Sequence, residues 1–180
     1  MRVVLASASP RRKALLEAAG FVVDVRPADV DEEPLPAELP DALVRRLARA
    51  KATVHDVDDA VVAADTTVAL GALILNKPVD DDDAARMLRL LSGCTHTVLT
   101  GWCVRRGSDV VDGVVATSVT FRALGDADIA AYLRSGEHKD KAGAYGIQGA
   151  AAVLVSRVEG SLTNVIGLPI DEVVAALRRR

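Results

Sequence analysis

Five segments of this chain bring together side chains that could do chemistry. The first is Ser7-Ala8-Ser9-Pro10-Arg11-Arg12-Lys13. Ser9 suits a helix N-cap and Pro10 a first helical residue, which puts three cations in a first turn. The helix dipole disfavours cations there by about 0.3–1 kcal/mol each. The unpaired N–H groups of a helix start, in contrast, attract anions. Ser7, Arg11 and Arg12 therefore read as a phosphate cradle, with a solvated basic turn as the structural alternative. Asp81-Asp82-Asp83 makes the contrast: three acids in a first turn suit the dipole, and their reading is structural.

The second segment is the apolar run Val61-Val62-Ala63-Ala64, ending in Asp65. Ligands gather at the carboxyl ends of strands in α/β sheets, and a buried lone carboxylate calls for a cation or a metal. A strand-end turn or cap would use the same residue. The third is Asp31-Glu32-Glu33, in a proline-punctuated loop. Two carboxylates from separate segments can hold one hard cation and leave positions for water, as magnesium is held beside phosphates; an acidic loop is also an ordinary solvated surface. The fourth is a pair of lysines. Lys51 falls near the apolar stripe of its predicted helix, so it either snorkels or points into a polar cleft. Lys77 precedes Pro78, which keeps the backbone extended, and could face a phosphate or sit in a surface turn. The fifth is the glycine-rich stretch 142–149. Glycines permit close backbone approach to a ligand, and Gln148 offers both donor and acceptor. The stretch matches neither the dinucleotide fingerprint nor the P-loop, and an ordinary loop would look the same.

The elements that must position these residues alternate. Strands are expected over residues 2–6, 21–26 and 60–64, with a short pair around Gly71. Helices are expected over residues 10–19, 41–54, 81–91 and 126–134. Residues 95–105 and 110–121 form a predicted hairpin through Gly107. Residues 151–158 and 162–166 read as strands, and Pro169 opens a terminal helix. The pattern is α/β with a mixed sheet and flanking helices.

The chain has 180 residues, half of them apolar and 3% aromatic, with a net charge of −3. That length fits one domain over residues 1–180, or two small lobes sharing a core, and needs no disulfide or metal to fold. The acidic balance and scarce aromatics argue against a nucleic-acid partner. Cys94, Cys103, His55, His96 and His138 are too scattered for a zinc site. Free thiols fit a reducing compartment. The stretch Val3-Val4-Leu5-Ala6-Ser7-Ala8 is too short for a signal peptide, and its basic cluster follows it. No apolar run approaches the roughly 18 residues that span a bilayer. A soluble cytoplasmic protein with no membrane partner is expected.

The segments LASASPRRKALLEAAG, RLARAKA, AADTTVAL, NKPVD, LSGCTHTVLTG, DKAGAYGIQG and VEGSLTNVIGLP, together with the acidic loop, resemble the Maf family of nucleotide pyrophosphatases over nearly the whole chain. The resemblance implies an elongated, two-lobed fold of the inosine-triphosphate pyrophosphatase type with a central cleft, frequent homodimers, and release of pyrophosphate from nucleoside triphosphates. It implies that Ser7, Arg11 and Arg12 hold the triphosphate, and that Glu32 and Asp65 bind a divalent cation, magnesium or else manganese. Asp65 would be the general base, with Lys51, Lys77 and Gln148 completing the site. Thr66 and the tract Tyr145-Gly146-Ile147-Gln148-Gly149 resemble the branch that hydrolyses dTTP and UTP. The branch acting on 7-methyl-GTP is the nearest alternative. A non-catalytic regulator of cell division is another, although it would not need convergent charges.

Overall fold

The computed structural model describes residues 1–179. Seven strands, β1 (Arg2–Leu5), β2 (Val22–Val25), β3 (Ala60–Leu70), β4 (Leu73–Leu75), β5 (Thr95–Arg106), β6 (Asp109–Phe121) and β7 (Val155–Glu159), form one mixed sheet. Its order is β2-β1-β3-β5-β6-β7, with β4 paired to β3. The helices are α1 (Pro10–Ala18), α2 (Pro40–Thr53), α3 (Asp81–Leu91), α4 (Asp126–Leu133), α5 (Leu162–Ile166) and α6 (Ile170–Arg178). The chain falls into two compact units. One comprises residues 1–66, 100–115 and the segment from Gly167 onward; the other comprises residues 67–99 and 116–166.

In the first unit, β1 lies parallel between β2 and β3, with Leu5 opposite Val25 and Val62. Side chains on a strand alternate between faces. Val62 and Ala64 join Leu16 of α1 and Val173, Ala176 and Leu177 of α6 in one core. Val61 and Ala63 join Ala48 and Ala52 of α2 in another. The three cations at the start of α1 oppose its dipole, yet Ser9 caps it by accepting from Arg12 N, and Leu16 is fully buried. That one burial contributes about 1.5–3 kcal/mol, enough to outweigh the dipole penalty of any single cation. Helix α2 lies directly on β5 at Gly101, where a Cβ would stand 2.1 Å from the Val44 carbonyl oxygen. Arg105 donates to the carbonyls of Ala52 and His55, fixing the end of α2.

In the second unit, Asp80 caps α3 by accepting from Asp83 N at 2.7 Å. Leu88 and Leu91 of α3 pack with Phe121, Ile129, Tyr132 and Leu154. His96, Phe121 and Tyr145 meet edge to face, and His96 Nε2 lies 2.7 Å from the Tyr145 hydroxyl.

Three expected elements differ. Strand β3 continues past Ala64 to Leu70, because Thr66, Thr67 and Val68 favour extended backbone and Val68–Leu70 pair with β4. Residues 162–166 are helical: Ser161 Oγ accepts from Asn164 N at 3.2 Å, an N-cap contact that starts a turn. Residues 149–154 form a 3-10 turn, whose alanines favour helical backbone, and the strand begins at Val155.

Candidate functional site

The alternation along β3 divides the site between two faces. Asp65 follows Val61 and Ala63 in facing α2, while Thr66 follows Val62 and Ala64 in facing α1. Both residues lie beyond Val62, the last β3 residue paired with β1, and Ser7 follows the end of β1. The first unit thus gathers these polar groups just past the carboxyl end of the parallel β1–β3 pairing, the side of a parallel sheet on which α/β proteins bind ligands.

On the α2 face, Lys51 sits on the apolar stripe with Leu43, Val44, Leu47 and Ala48, and its side chain is 8% exposed. It does not snorkel to water. Its Nζ lies 2.7 Å from Asp65 Oδ1 and 2.5 Å from Glu32 Oε1. One ammonium therefore brings a strand carboxylate and a loop carboxylate to a common point. The loop is tied down around Glu32. Asp31 Oδ1 accepts from Glu33 N, and Arg46 of α2 donates to the Glu33 carbonyl and to both oxygens of Glu38. The bidentate Arg46 contact holds the Glu38 carboxyl down at about 2.

On the α1 face, Arg12 donates from Nε to the Gly167 carbonyl (2.7 Å), from Nη1 to Ser7 Oγ (3.0 Å) and from Nη2 to Thr66 Oγ1 (3.1 Å). All three acceptors are neutral. Burial lowers the Arg12 pKa; the Asp65 carboxylate opposes that shift, Arg11 adds to it and Glu32 opposes it. A guanidinium held by neutral oxygens keeps its charge for an incoming anion, and its planar fork suits a phosphate. Thr66 Oγ1 also shares a 2.9 Å hydrogen bond with Thr100 Oγ1, which is fully buried. The Thr66 hydroxyl is thus engaged in holding Arg12.

Ser7, Arg11, Arg12, Glu32, Lys51, Asp65 and Thr66 all belong to the first unit. The contacts above join Ser7 and Thr66 to Arg12, and Glu32 and Asp65 to Lys51, and Arg11 is near enough for its charge to act on Arg12. Lys77 and Gln148 belong to the second unit, and both are exposed. There the glycine stretch is fastened at three points. Gly143 N donates to the Asn76 carbonyl, one residue before Lys77; Tyr145 meets His96; and Ala150 N donates to Glu137, two residues after Gln148. Gly143 and Gly149 both have positive φ, and a Cβ on either would press on Val68 or on the Glu137 carboxylate.

Sequence reasoning gave no role to Thr100 or Gly167, which hold Thr66 and Arg12. Both lie in the quoted segments LSGCTHTVLTG and VEGSLTNVIGLP. Their signal was position: Thr100 shares its strand face with Trp102 and Val104, on the α1 side.

Glu32 and Asp65 supply oxygen donors alone, the chemistry preferred by magnesium or manganese over softer metals. Among the described residues no group of three or more His, Cys, Asp and Glu converges. A cation here would complete its shell with water and substrate oxygens, as magnesium does beside phosphates. A separate cavity of about 360 Å³ is lined by Arg2, Asp58, Asp59, Arg106 and Arg178, at the amino ends of β1 and β3 and away from these residues. No helix among the described residues is long and apolar enough to cross a membrane.

A family profile described as "Maf-like protein" matches residues 2–180. A dTTP/UTP pyrophosphatase of Anaeromyxobacter dehalogenans (strain 2CP-C) is 54% identical, covering 99% of this chain and 93% of its own length. One from Geobacter sulfurreducens is 50% identical, covering 99% and 96%. One from Myxococcus xanthus is 51% identical, covering 98% and 91%. A mixed sheet of this order with helices packed against it is an α/β protein. The chain belongs to the Maf-like protein family.

Proposed function

We propose that this chain is a nucleoside triphosphate pyrophosphatase that hydrolyses dTTP and UTP to the monophosphate and pyrophosphate. The observation that carries the chemistry is the convergence of Glu32 and Asp65 on Lys51, beside an Arg12 held by neutral oxygens. The choice of nucleotide rests on the relatives named for it, at about half identity over nearly their whole length.

A triphosphate carries about four negative charges near neutral pH, and most of the catalytic work in phosphoryl transfer is positioning and charge stabilisation. Arg12, oriented by Ser7, Thr66 and Gly167, takes phosphate oxygens in its fork, and Arg11 adds a second cation in the same turn. Lys51 shifts part of its contact from the carboxylates to the phosphates. Asp65, relieved of part of that ion pair, accepts a proton from the water that attacks the α-phosphorus. Glu32 and Asp65 are the residues that would hold magnesium, which supplies a Lewis acid for the phosphate oxygens. Lys77 and Gln148 take the roles that the family resemblance gives them, contact with the phosphates and with the base. A homodimer is supported by that resemblance, and the free thiols Cys94 and Cys103 fit a reducing compartment such as the cytoplasm.

The test is a nucleotide panel with magnesium, in which pyrophosphate is resolved from orthophosphate. The expected outcome is pyrophosphate from dTTP and UTP at a higher kcat/KM than from GTP or 7-methyl-GTP, with no turnover in excess chelator. Faster turnover of 7-methyl-GTP would move the chain to the other branch. Absence of pyrophosphate release from every nucleotide would refute the enzyme.

A further inference from the structure

Lys51 already stands where a cation would be placed. Its ammonium contacts Glu32 and Asp65 at 2.5 and 2.7 Å, and its side chain is 8% exposed. The acidic pair is therefore partly neutralised by the protein itself. Arg12 also lies within electrostatic reach of both carboxylates, so a second cation already faces the pair. Arg46 also feels Asp65 but is matched by its bidentate pair with Glu38.

A free divalent cation entering this cluster meets two costs. It adds two positive charges beside the Lys51 ammonium and the Arg12 guanidinium, in surroundings screened less than bulk water. It also draws the carboxylates away from Lys51, leaving a buried ammonium without its partners, which is strongly unfavourable. A nucleotide removes both costs, because its phosphates supply the missing negative charge and give Lys51 new acceptors.

We infer that Lys51 is a resident counter-ion that excludes free divalent cations from the Glu32–Asp65 pair, so that the metal enters with the phosphates of the nucleotide. The inference rests on the pyrophosphatase reading for the identity of that anion, while the exclusion itself is a property of the protein alone.

The probe is manganese(II) without nucleotide, its free concentration read by electron paramagnetic resonance. The wild-type protein is expected to bind it with a Kd of about 1 mM or weaker, the range of poorly matched oxygen sites. Lys51→Met removes the charge at similar length and should tighten binding at least about tenfold. Lys51→Gln should do the same, and Lys51→Arg should stay weak. Circular dichroism melting shows which variants are folded. Micromolar binding by the wild type overturns the inference whether or not the variants fold. So does a folded Lys51→Met or Lys51→Gln protein that binds no more tightly than the wild type. Pyrophosphate release from dTTP is followed separately. Tightened manganese binding by the variants with no pyrophosphate release by the wild type refutes the proposed activity alone; release by the wild type with no tightening in folded variants refutes the counter-ion role alone.

Discussion

Asp65 and Thr66 are adjacent on β3 and serve opposite faces of the sheet: Asp65 meets Lys51 of α2 at 2.7 Å, and Thr66 accepts from Arg12 of α1 at 3.1 Å. A single strand therefore positions together the proposed base and the arginine proposed to hold phosphate. The period of two in a strand makes this the cheapest way to join two helices at one site. A one-residue slip of β3 would exchange the two residues and undo both contacts.

Asp65→Asn keeps the shape of the side chain and removes its charge and basicity. Turnover of dTTP should fall at least about a hundredfold, the low end for loss of a general base. The circular dichroism spectrum should be unchanged. Near-normal turnover in a folded variant would place the base elsewhere.

Arg12 makes structural contacts that its place in the first helical turn does not reveal. On dipole grounds its removal should leave α1 as stable as before or slightly more so. Its three hydrogen bonds to Gly167, Ser7 and Thr66 reverse that expectation. Arg12→Ala should abolish hydrolysis and cost about 1–3 kcal/mol through unsatisfied acceptors. Thr100→Val, which removes the hydroxyl behind Thr66, should raise KM several-fold with a smaller change in kcat. Denaturant titration and steady-state kinetics check both. A change in kcat alone for Thr100→Val would contradict the positioning role.

Gly101 is needed for the seat of α2. A Cβ there would stand 2.1 Å from the Val44 carbonyl oxygen and 2.6 Å from Arg45 N. The obstacle is helix backbone, which cannot rotate away. Gly101→Ala should cost about 3 kcal/mol or more and should weaken turnover, because α2 carries Lys51. Urea denaturation measures the first effect, and a loss under about 1 kcal/mol would show that the helix shifts freely.

His96 gives the stability a defined pH dependence. Burial holds its pKa down at about 4, against an ordinary 6.5. Between those values the unfolded chain binds the proton and the folded chain does not. The contribution is fully present above pH 6.5 and is lost as the pH falls towards 4, by roughly 3 kcal/mol in all. Melting curves of the wild type and His96→Gln should converge as the pH falls through that window. Parallel curves would show that His96 titrates normally in the fold.

Much of the site was legible because its signals were local. Ser9-Pro10 marked a helix start, an apolar run led to Asp65, and the cap at Asp80 opened an acidic first turn in the expected place. Lys51 was legible as an anomaly, a charge on an apolar stripe, but its two partners lie in other segments and no spacing connects them. Thr100 and Gly167 escaped for the same reason: their importance comes from contacts across the fold with Thr66 and Arg12. The helix at 162–166 escaped because five residues with β-branched Thr163, Val165 and Ile166 favour extended backbone locally. The contact between Ser161 and the Asn164 backbone decided otherwise.

The most direct test of the proposed reaction is hydrolysis of dTTP with magnesium in heavy-oxygen water, followed by mass spectrometry of both products. Attack at the α-phosphorus, with Asp65 accepting the proton of the water, places the heavy oxygen in the thymidine monophosphate and leaves the pyrophosphate unlabelled. Label in the pyrophosphate, or release of orthophosphate in its place, would contradict the account.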